Sequence, residues 1–288
     1  MTRYRYDLMS DNKLLVKFYG TRGSIPVSDA GYQMFGGNTT CIAIYDNVEK
    51  RLSIIDAGTG IRNLGKDILQ GKFELGHRHV SLGFTHFHWD HIQGFPFFGP
   101  AYQDDFAIDI MSFGRNKNVK NLKSLFDAQM QEAFFPIALS DMGAKMNFIT
   151  IEQQSLKVNG FELSVTPHPH PGTAYSIKIE KYGKCIVICT DVEHGEQLNS
   201  QLIQFANGAD LLIHDAQYTQ SELKKRKGWG HSSYEQAIEM AETIGCDRLV
   251  FTHHDPDHDD KYLMEREQYY QKQFNKCVMA REGMALGC

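Results

Sequence analysis

One short segment constrains the fold of this chain of 288 residues more than any other feature: Phe84-Thr85-His86-Phe87-His88-Trp89-Asp90-His91. It places three imidazoles and one carboxylate within six residues, directly after the apolar run Val80–Phe84. Imidazole and carboxylate are the ligands that zinc uses where it keeps one coordination position open for water. His86 and His88 form one pair of donors, and Asp90 and His91 form a second pair directly after it. Two such pairs so close in sequence indicate two metal ions close together. The segment therefore predicts a metal site at the end of a buried strand.

Short apolar runs typical of strands dominate the first third of the chain, and they alternate with helical patterns in the last third. Strands are predicted at Leu14–Tyr19, Cys41–Tyr45, Leu52–Asp56, Val80–Thr85, Ala107–Ser112, Phe148–Ile151, Phe161–Thr166, Ala174–Ile179, Cys185–Thr190, Leu211–His214, Leu249–Thr252 and Cys277–Ala280. Helices are predicted at Gly60–Gln70, Val119–Ala133, Glu196–Ala206, Ser233–Ile244 and Asp260–Phe274. Two β-rich halves, each followed by helices, predict an α/β fold of packed sheets with helices outside. Without a repeat or linker, we expect a single domain over 1–288.

Composition excludes several classes of protein. Thirty basic against thirty-five acidic residues give a formal charge of −5, which argues against a global basic surface for long nucleic acids. No apolar run reaches the 18 or so residues of a membrane span, and the N-terminal residues lack the apolar stretch of a secretory signal. The six cysteines are dispersed without a CxxC pair, so we expect reduced thiols and a cytoplasmic location.

Four further segments place an acidic residue or a histidine beside an apolar run or a turn. They are Leu52-Ser53-Ile54-Ile55-Asp56-Ala57-Gly58, His168-Pro169-His170-Pro171-Gly172, Ile188-Cys189-Thr190-Asp191 and Phe251-Thr252-His253-His254-Asp255-Pro256. Together with the HxHxDH segment, and in this order, they resemble the motifs of the metallo-β-lactamase superfamily of dinuclear metal hydrolases. The resemblance covers about 52–256, and it implies a four-layer αββα sandwich that holds two divalent metal ions.

The resemblance also implies a ligand set. His86, His88 and His170 are expected on one metal, Asp90, His91 and His253 on the other, Asp191 between both, and Asp56 behind the ligands, orienting their imidazoles. Spacing alone does not choose between His168 and His170, whereas the family's His-Pro-Gly pattern selects His170. Register after the strand favours His253, with His254 as the alternative. Zinc is the expected metal, although the same ligands accept manganese or iron.

Residue types at these positions favour one branch of the superfamily. Asp191 stands where true β-lactamases commonly have Cys, and His88 stands where diiron flavoproteins have Glu. The segments Leu211-Leu212-Ile213-His214-Asp215-Ala216 and Gly230-His231-Ser232-Ser233 resemble those of the phosphodiesterase branch, which includes tRNase Z, the phosphonate-pathway phosphodiesterase and bacterial cyclic-nucleotide phosphodiesterases.

That branch implies a mechanism for phosphodiester cleavage. A hydroxide held between the metals would attack phosphorus, and His231 would act as general acid with Asp215 as its partner, because an alkoxide leaves far better when it is protonated. Asp90 is expected to take part in catalysis as well as to bind a metal ion. Alternatively, His231 has no catalytic role and lies on a surface turn next to Ser232 and Ser233, which are good N-cap residues for the following helix.

The substrate is expected to be a small phosphodiester, with a cyclic nucleotide favoured. A tRNase Z-like RNA 3′-end endonuclease is the first alternative, and a non-hydrolytic metal-binding interaction protein is the second. The charge of −5 and the absence of a glycine- and proline-containing arm weigh against tRNA. The basic run Lys224-Lys225-Arg226-Lys227 fits two interpretations. It is either an ordinary solvent-exposed surface or a basic rim of the active site that attracts phosphate.

Two glycine-containing loops resemble segments near the active site of bacterial relatives: Thr21-Arg22-Gly23-Ser24-Ile25-Pro26 and Gly36-Gly37-Asn38-Thr39-Thr40-Cys41. The alternative is two plain turns. Asn38 and Thr39 in the second loop are candidate substrate-binding residues. Oligomeric state does not follow from the sequence, and a homodimer is compatible with it. The remaining histidines, His77, His79, His194 and His258, have no place in the predicted centre and are expected at the surface.

Overall fold

The strands of the computed structural model, which describes residues 12–114 and 121–288, form two sheets of seven strands each. The first sheet has the order β14-β1-β2-β3-β4-β5-β6, with β1 Leu14–Gly20, β2 Cys41–Asp46, β3 Arg51–Ile55, β4 His79–Phe84, β5 Ala107–Phe113, β6 Lys145–Ile151 and β14 Ala285–Gly287. The second has the order β13-β12-β11-β10-β9-β8-β7, with β7 Ser155–Val158, β8 Phe161–His168, β9 Ala174–Lys181, β10 Lys184–Cys189, β11 Leu211–Asp215, β12 Arg248–Thr252 and β13 Cys277–Met279. Both sheets are mixed: β3 to β6 and β10 to β13 are parallel, and the other pairs are antiparallel.

Helices lie outside the two sheets. They are α1 Ile61–Leu69, α2 Trp89–Ile92, α3 Leu122–Gln129, α4 Ser200–Ala206, α5 Gln220–Leu223, α6 Tyr234–Thr243 and α7 Asp260–Gln271. Two predicted helices begin later than expected because Asn121 and Asn199 cap them, each side chain accepting a backbone N–H of the first turn. Residues 119 and 120 of the predicted helix Val119–Ala133 lie outside the described residues. Four short elements, β7, β14, α2 and α5, were not predicted from the sequence. Within the described ranges, no helix has the length and apolar character needed to cross a membrane.

Three apolar clusters show that the elements form four layers. One cluster lies between the sheets and joins residues such as Val16 and Ile44 of the first sheet to Ile186 and Ile213 of the second. Another packs the outer face of the first sheet against α1 and α3, and the last packs the outer face of the second sheet against α4, α6 and α7. Because each sheet buries both faces, its central strands read as nearly continuous apolar runs. The predicted αββα sandwich is confirmed.

The parallel strands bring the sequence motifs to one edge of this sandwich. Asp56 directly follows β3, Asp191 lies two residues after β10, and His253 directly follows β12. Each of these three residues has a positive φ, as has Ser24 in the loop after β1. Left-handed backbone at non-glycine residues is strained and persists where the surrounding structure enforces it. Here it turns the chain sharply at the strand ends, where the site lies.

Arg22 joins the loop after β1 to the loop after β12. The side chain is fully buried, and two of its nitrogens donate to carbonyl oxygens: Nε donates to Gly36 at 2.8 Å, and Nη1 donates to Asp255 at 3.0 Å and His258 at 2.6 Å. The third nitrogen, Nη2, has no hydrogen-bond partner. The backbone of the same loop is tied to the β12 loop as well, since the N–H of Gly23 donates to the His254 carbonyl. A buried guanidinium therefore fixes the position of two loops that border the strand ends.

We expect Arg22→Leu to lower the free energy of unfolding by roughly 3 kcal/mol, because it leaves several buried carbonyl groups without donors. Urea unfolding followed by far-UV circular dichroism measures the change. The matched control is Arg62→Leu on the exposed face of α1, which should change stability by less than about 0.5 kcal/mol. Equal stability of the two variants would contradict a structural role for Arg22.

Candidate metal centre

Three histidines form the first donor group at the sandwich edge. A ring nitrogen from each of His86, His88 and His170 lies within 4.8 Å of the others. His86 and His88 stand in the turn between β4 and α2, and His170 lies in the loop between β8 and β9. The Nε2 atom of His170 is 3.0 Å from Nδ1 of His88. Three nitrogen donors that converge in this way match one half of a predicted dinuclear site.

A second group lies beside the first and is fully buried. It consists of Asp90, His91, Asp191 and His253, again with donor atoms within 4.8 Å of one another. Asp191 stands between the two groups: its Oδ1 is 3.2 Å from His253 Nε2 and 3.8 Å from His86 Nε2, and its Oδ2 is 3.1 Å from His91 Nε2. This placement is the one that a carboxylate shared by two ions requires.

Hydrogen bonds on the far side of three imidazoles determine which nitrogen faces the centre. His91 donates from Nδ1 to Asp56 at 2.8 Å, and His170 donates from Nδ1 to the Gly230 carbonyl at 2.9 Å. The Thr85 hydroxyl donates to Asp56, so its oxygen is free to accept from Nδ1 of His86 at 3.2 Å. Each ring therefore directs the lone pair of Nε2 into the centre, as a metal ligand must.

The charges of the second group require a cation. The buried Nε2 atoms of His86 and His91 have no hydrogen-bond partner, although carboxylate oxygens lie nearby. Burial opposes a charge on His91, yet the carboxylates of Asp191, Asp90 and Asp56 raise the pKa of His91 well above its ordinary value. Burial likewise opposes a charge on His253, and Asp191 and Asp90 raise the pKa of His253 to about 9. The donor set fits a divalent cation, which supplies the positive charge that protons otherwise provide.

The structure separates the two pairs of neighbouring histidines that spacing could not separate. His168 is turned away from the donor groups: its Nε2 donates to the Asp191 carbonyl at 3.0 Å, its Nδ1 accepts from Ser176, and burial lowers its pKa to about 4. His254 donates from Nε2 to the carbonyl of Ala280 at 2.9 Å. His170 and His253 are the members of each pair that lie within the donor groups.

Asp215 and His231 form a hydrogen-bonded pair next to the second group. His231 donates from Nδ1 to Asp215 Oδ2 at 2.8 Å, which leaves Nε2 as the ring nitrogen that can reach a bound molecule. The fully buried Asp215 also accepts from the backbone N–H groups of Ser232 at 2.8 Å and Asp191 at 3.2 Å. One carboxylate thus positions both the His231 imidazole and the backbone of the central Asp191.

Two glycines allow backbone to approach the donor residues closely. A Cβ on Gly23 would lie 2.3 Å from the His253 ring, and a Cβ on Gly230, whose φ is +90°, would lie 2.2 Å from Nδ1 of His170. Beside Gly23, the backbone N–H of Ser24 donates to Asp90 Oδ2 at 2.8 Å. The loop after β1 therefore belongs to the site, as the resemblance of its sequence indicated.

A cavity of about 530 Å³ opens onto the centre. Its walls combine the donor residues with aromatic side chains and with the proposed acid, and they comprise Ser24, Phe87, His88, Trp89, Asp90, His170, Asp191, Trp229, His231 and His253. The volume lies within the usual range of small-molecule sites. A ligand in this cavity would contact both donor groups and His231 at once.

Asn38 and Thr39, the predicted substrate-binding residues, do not line the cavity of the donor groups. Asn38 lines a different cavity, and its side chain donates to Glu282 at 2.8 Å. Thr39 is fully buried, and its hydroxyl oxygen accepts from the N–H of Thr59 at 2.9 Å. Both side chains join neighbouring segments of the chain, and their role in substrate binding stays a prediction.

Sequence reasoning also missed a chain of donors behind the site. His194 was expected at the surface, as was His258, but both are buried. The N–H of Asn199 donates to His194 Nδ1, His194 Nε2 lies 3.0 Å from His214 Nε2, and His214 Nδ1 donates to the Asp215 carbonyl at 2.6 Å. One set of proton positions satisfies every bond, with His194 donating to His214. The burial of His214 in an apolar strand was the available signal.

Glu193 is a further residue of the site that the sequence analysis did not name. Its two carboxylate oxygens accept from the N–H groups of Gly228 at 2.7 Å and Gly230 at 2.8 Å. Its own N–H donates to the Pro169 carbonyl. Glu193 thus holds the loop before His231 against the loop that carries His170.

Two curated proteins similar to this chain are named ribonuclease Z. The protein from Lactococcus lactis subsp. lactis is 38% identical over 77 residues, which are 27% of this chain and 24% of that protein. The protein from Picrophilus torridus is 24% identical over 307 aligned positions, covering 93% of each chain. The match to the Lactococcus protein therefore spans about a quarter of its length, whereas the Picrophilus match extends over nearly the whole of both chains.

A solved structure and a family model agree with the architecture. The crystal structure of the metallo-beta-lactamase fold protein YhfI from Bacillus subtilis superposes with a TM-score of 0.73 at 16% identity, covering 96% of this chain and all of that one. The model of the beta-lactamase superfamily domain matches residues 53–254, well over half of the sequence. The match includes the HxHxDH segment and the motifs that end at His253. The chain belongs to the beta-lactamase superfamily.

Proposed function

We propose that this protein is a metal-dependent hydrolase, a phosphodiesterase that works with two divalent metal ions, zinc in the first place. His86, His88 and His170 would hold one ion, and Asp90, His91 and His253 the other, with Asp191 shared. Bound there, the metals supply Lewis acidity toward phosphoryl oxygens and lower the pKa of water. The nitrogen-rich donor set supports zinc, and manganese and iron are the alternatives.

The observation that carries this proposal is the Asp215–His231 pair at the wall of the metal cavity. Phosphodiester cleavage expels an alkoxide, which is a poor leaving group unless it is protonated during departure. His231 presents Nε2 to the cavity, while the buried carboxylate of Asp215 accepts a hydrogen bond from Nδ1 and fixes the orientation of the ring. A hydrolase that expels good leaving groups has no need of such an acid.

A small phosphodiester is the proposed substrate, with a cyclic nucleotide favoured. The net charge of −5 and a cavity of about 530 Å³ support a small molecule over a long nucleic acid or a membrane surface. The basic run 224–227 directly precedes the Trp229–His231 segment, so its charges would attract a phosphate toward the cavity. The protein would act in the cytoplasm, and a homodimer is compatible with this function.

An RNA 3′-end endonuclease is the second candidate. It is supported by the near full-length similarity to the Picrophilus protein named ribonuclease Z. Incubation of the zinc- or manganese-loaded protein with bis-p-nitrophenyl phosphate, cyclic AMP, cyclic GMP and precursor tRNA separates the candidates. We expect cleavage of the small diesters. Cleavage of precursor tRNA alone would replace the first candidate with the second, and no turnover of any phosphodiester would refute both.

We expect His231→Ala to lower kcat roughly 100-fold or more on cyclic AMP, since it removes the acid that protonates the alkoxide. The loss on bis-p-nitrophenyl phosphate should be much smaller, because nitrophenolate leaves without a proton. Steady-state kinetics on both substrates measure the contrast, and elemental analysis should find the metal content unchanged. His77→Ala, an exposed histidine outside the centre, is the control. Loss of metal, or equal losses on the two substrates, would contradict the acid role.

The shared position of Asp191 leads to a separate expectation. Asp191→Ala should lower the bound metal from about two ions per chain to one or fewer, because both donor groups lose a carboxylate. Inductively coupled plasma mass spectrometry after desalting gives the stoichiometry. Asp127→Ala on the exposed side of α3 removes a carboxylate far from the centre and should retain both ions. Full occupancy in the Asp191 variant would disprove the bridging position.

A further inference from the structure

Both tryptophans of the chain stand at the mouth of the metal cavity. The sequence contains two, Trp89 and Trp229, and both line the cavity of the donor groups. Their exposed fractions are 65% and 61%, and neither belongs to the three apolar clusters of the core. Tryptophan has the largest apolar surface of any side chain and is ordinarily buried on average. Two exposed indoles at one cavity indicate a surface prepared for a ligand.

The backbone holds both indoles next to the reacting groups. Trp89 begins α2 directly after His88, and its carbonyl accepts from the N–H of Gln93 at 2.8 Å. Trp229 lies two residues before His231, and its N–H donates to the Arg226 carbonyl at 3.1 Å. The glycines on either side of Trp229 are held by the two carboxylate oxygens of Glu193. One indole therefore borders the first donor group, and the other borders the proposed acid.

We propose that Trp89 and Trp229 stack against the nucleobase of the substrate, whose phosphate lies at the metal centre. This inference rests on the proposed phosphodiesterase function and names the part of the substrate that the cavity recognises. Indole faces bind flat aromatic rings, and stacking accepts every base because each has a π-face. The guanidinium carbon of Arg226 lies 6.0 Å from the centre of the Trp229 ring, which adds positive charge beside the same surface.

Because the chain has no other tryptophan, its tryptophan fluorescence, excited selectively over that of its 13 tyrosines, reports on this surface alone. We expect AMP to quench the emission of the metal-loaded protein in a saturable manner, and ribose 5-phosphate, which lacks the base, to quench it little. Trp89→Phe and Trp229→Phe each leave one indole as reporter, and each should still respond to AMP. Equal quenching by the two phosphates, or none by AMP, would overturn the proposal.

Kinetics provide the second measurement. Trp89→Ala and Trp229→Ala should each raise KM for cyclic AMP roughly fivefold or more, with a smaller change in kcat, and phenylalanine should restore most of the loss. The preference for cyclic AMP over the cyclic phosphate of methyl riboside, which has methoxy in place of the base, should fall by a similar factor. Tyr269→Ala, an exposed aromatic on α7, should change neither value. An unaltered preference in both alanine variants would refute base stacking.

The binding and turnover measurements distinguish two kinds of failure. Base-dependent quenching without turnover of any phosphodiester would remove the proposed function and retain the nucleobase surface. Turnover with an unaltered preference in the tryptophan variants would remove only the surface. A short single-stranded oligoadenylate, titrated beside AMP, identifies the source of the base: tighter quenching by the oligomer assigns the indoles to an RNA end, and equal quenching assigns them to a mononucleotide.

Discussion

The structure depends on buried carboxylates that lie close together at one edge of the sandwich. Asp90 and Asp191 are both buried, and His91 and His253 are the groups that lie between and beside them. Burial alone would favour the protonated acids, but the adjacent imidazoles hold the pKa of Asp191 and of Asp90 below the usual value. Buried charges of this kind are tolerated only when they are paired or bind a metal. The arrangement of the surrounding imidazoles follows from that requirement, because each must offer a lone pair to a cation.

The fold meets the requirement through its strand ends. Parallel neighbours within each sheet end at one edge, so residues far apart in sequence, such as Asp56 and His253, arrive there without long connections. Strained left-handed backbone after the strands turns the side chains toward the centre, and the packing of both sheets offsets its cost. Arg22 then joins the loops that border those ends. The rigidity of the centre is therefore a property of the two-sheet core and not of the loops by themselves.

Much of this organisation could be predicted from the sequence, because the motifs lie directly beside apolar runs whose strand character is plain. The four layers and the family are confirmed, and the proposed donor residues come together. What depends on three-dimensional contacts could not be predicted: His168 and His170 have similar local sequence, and the Asp191 carbonyl that holds His168 is visible only in the folded chain. The hydrogen bond between Asn38 and Glu282 could not be predicted for the same reason, since the two residues are distant in sequence. The short strands β7 and β14 lack a distinctive pattern of their own.

The loop 228–231 carries both Trp229, at the mouth of the cavity, and His231, the proposed acid. Its Gly230 carbonyl accepts from His170, Glu193 holds its glycine N–H groups, and His231 at its end is bonded to Asp215. A displacement of this loop would therefore move a proposed metal donor, the proposed acid and an exposed indole together. The side chain of Trp229 itself is 61% exposed, so a change at this residue would alter the mouth of the cavity without displacing His170 or His231. In the proposed phosphodiesterase, substrate selection at the mouth of the cavity would therefore be physically separable from the donor groups, and residues at the mouth could differ while the centre stays the same.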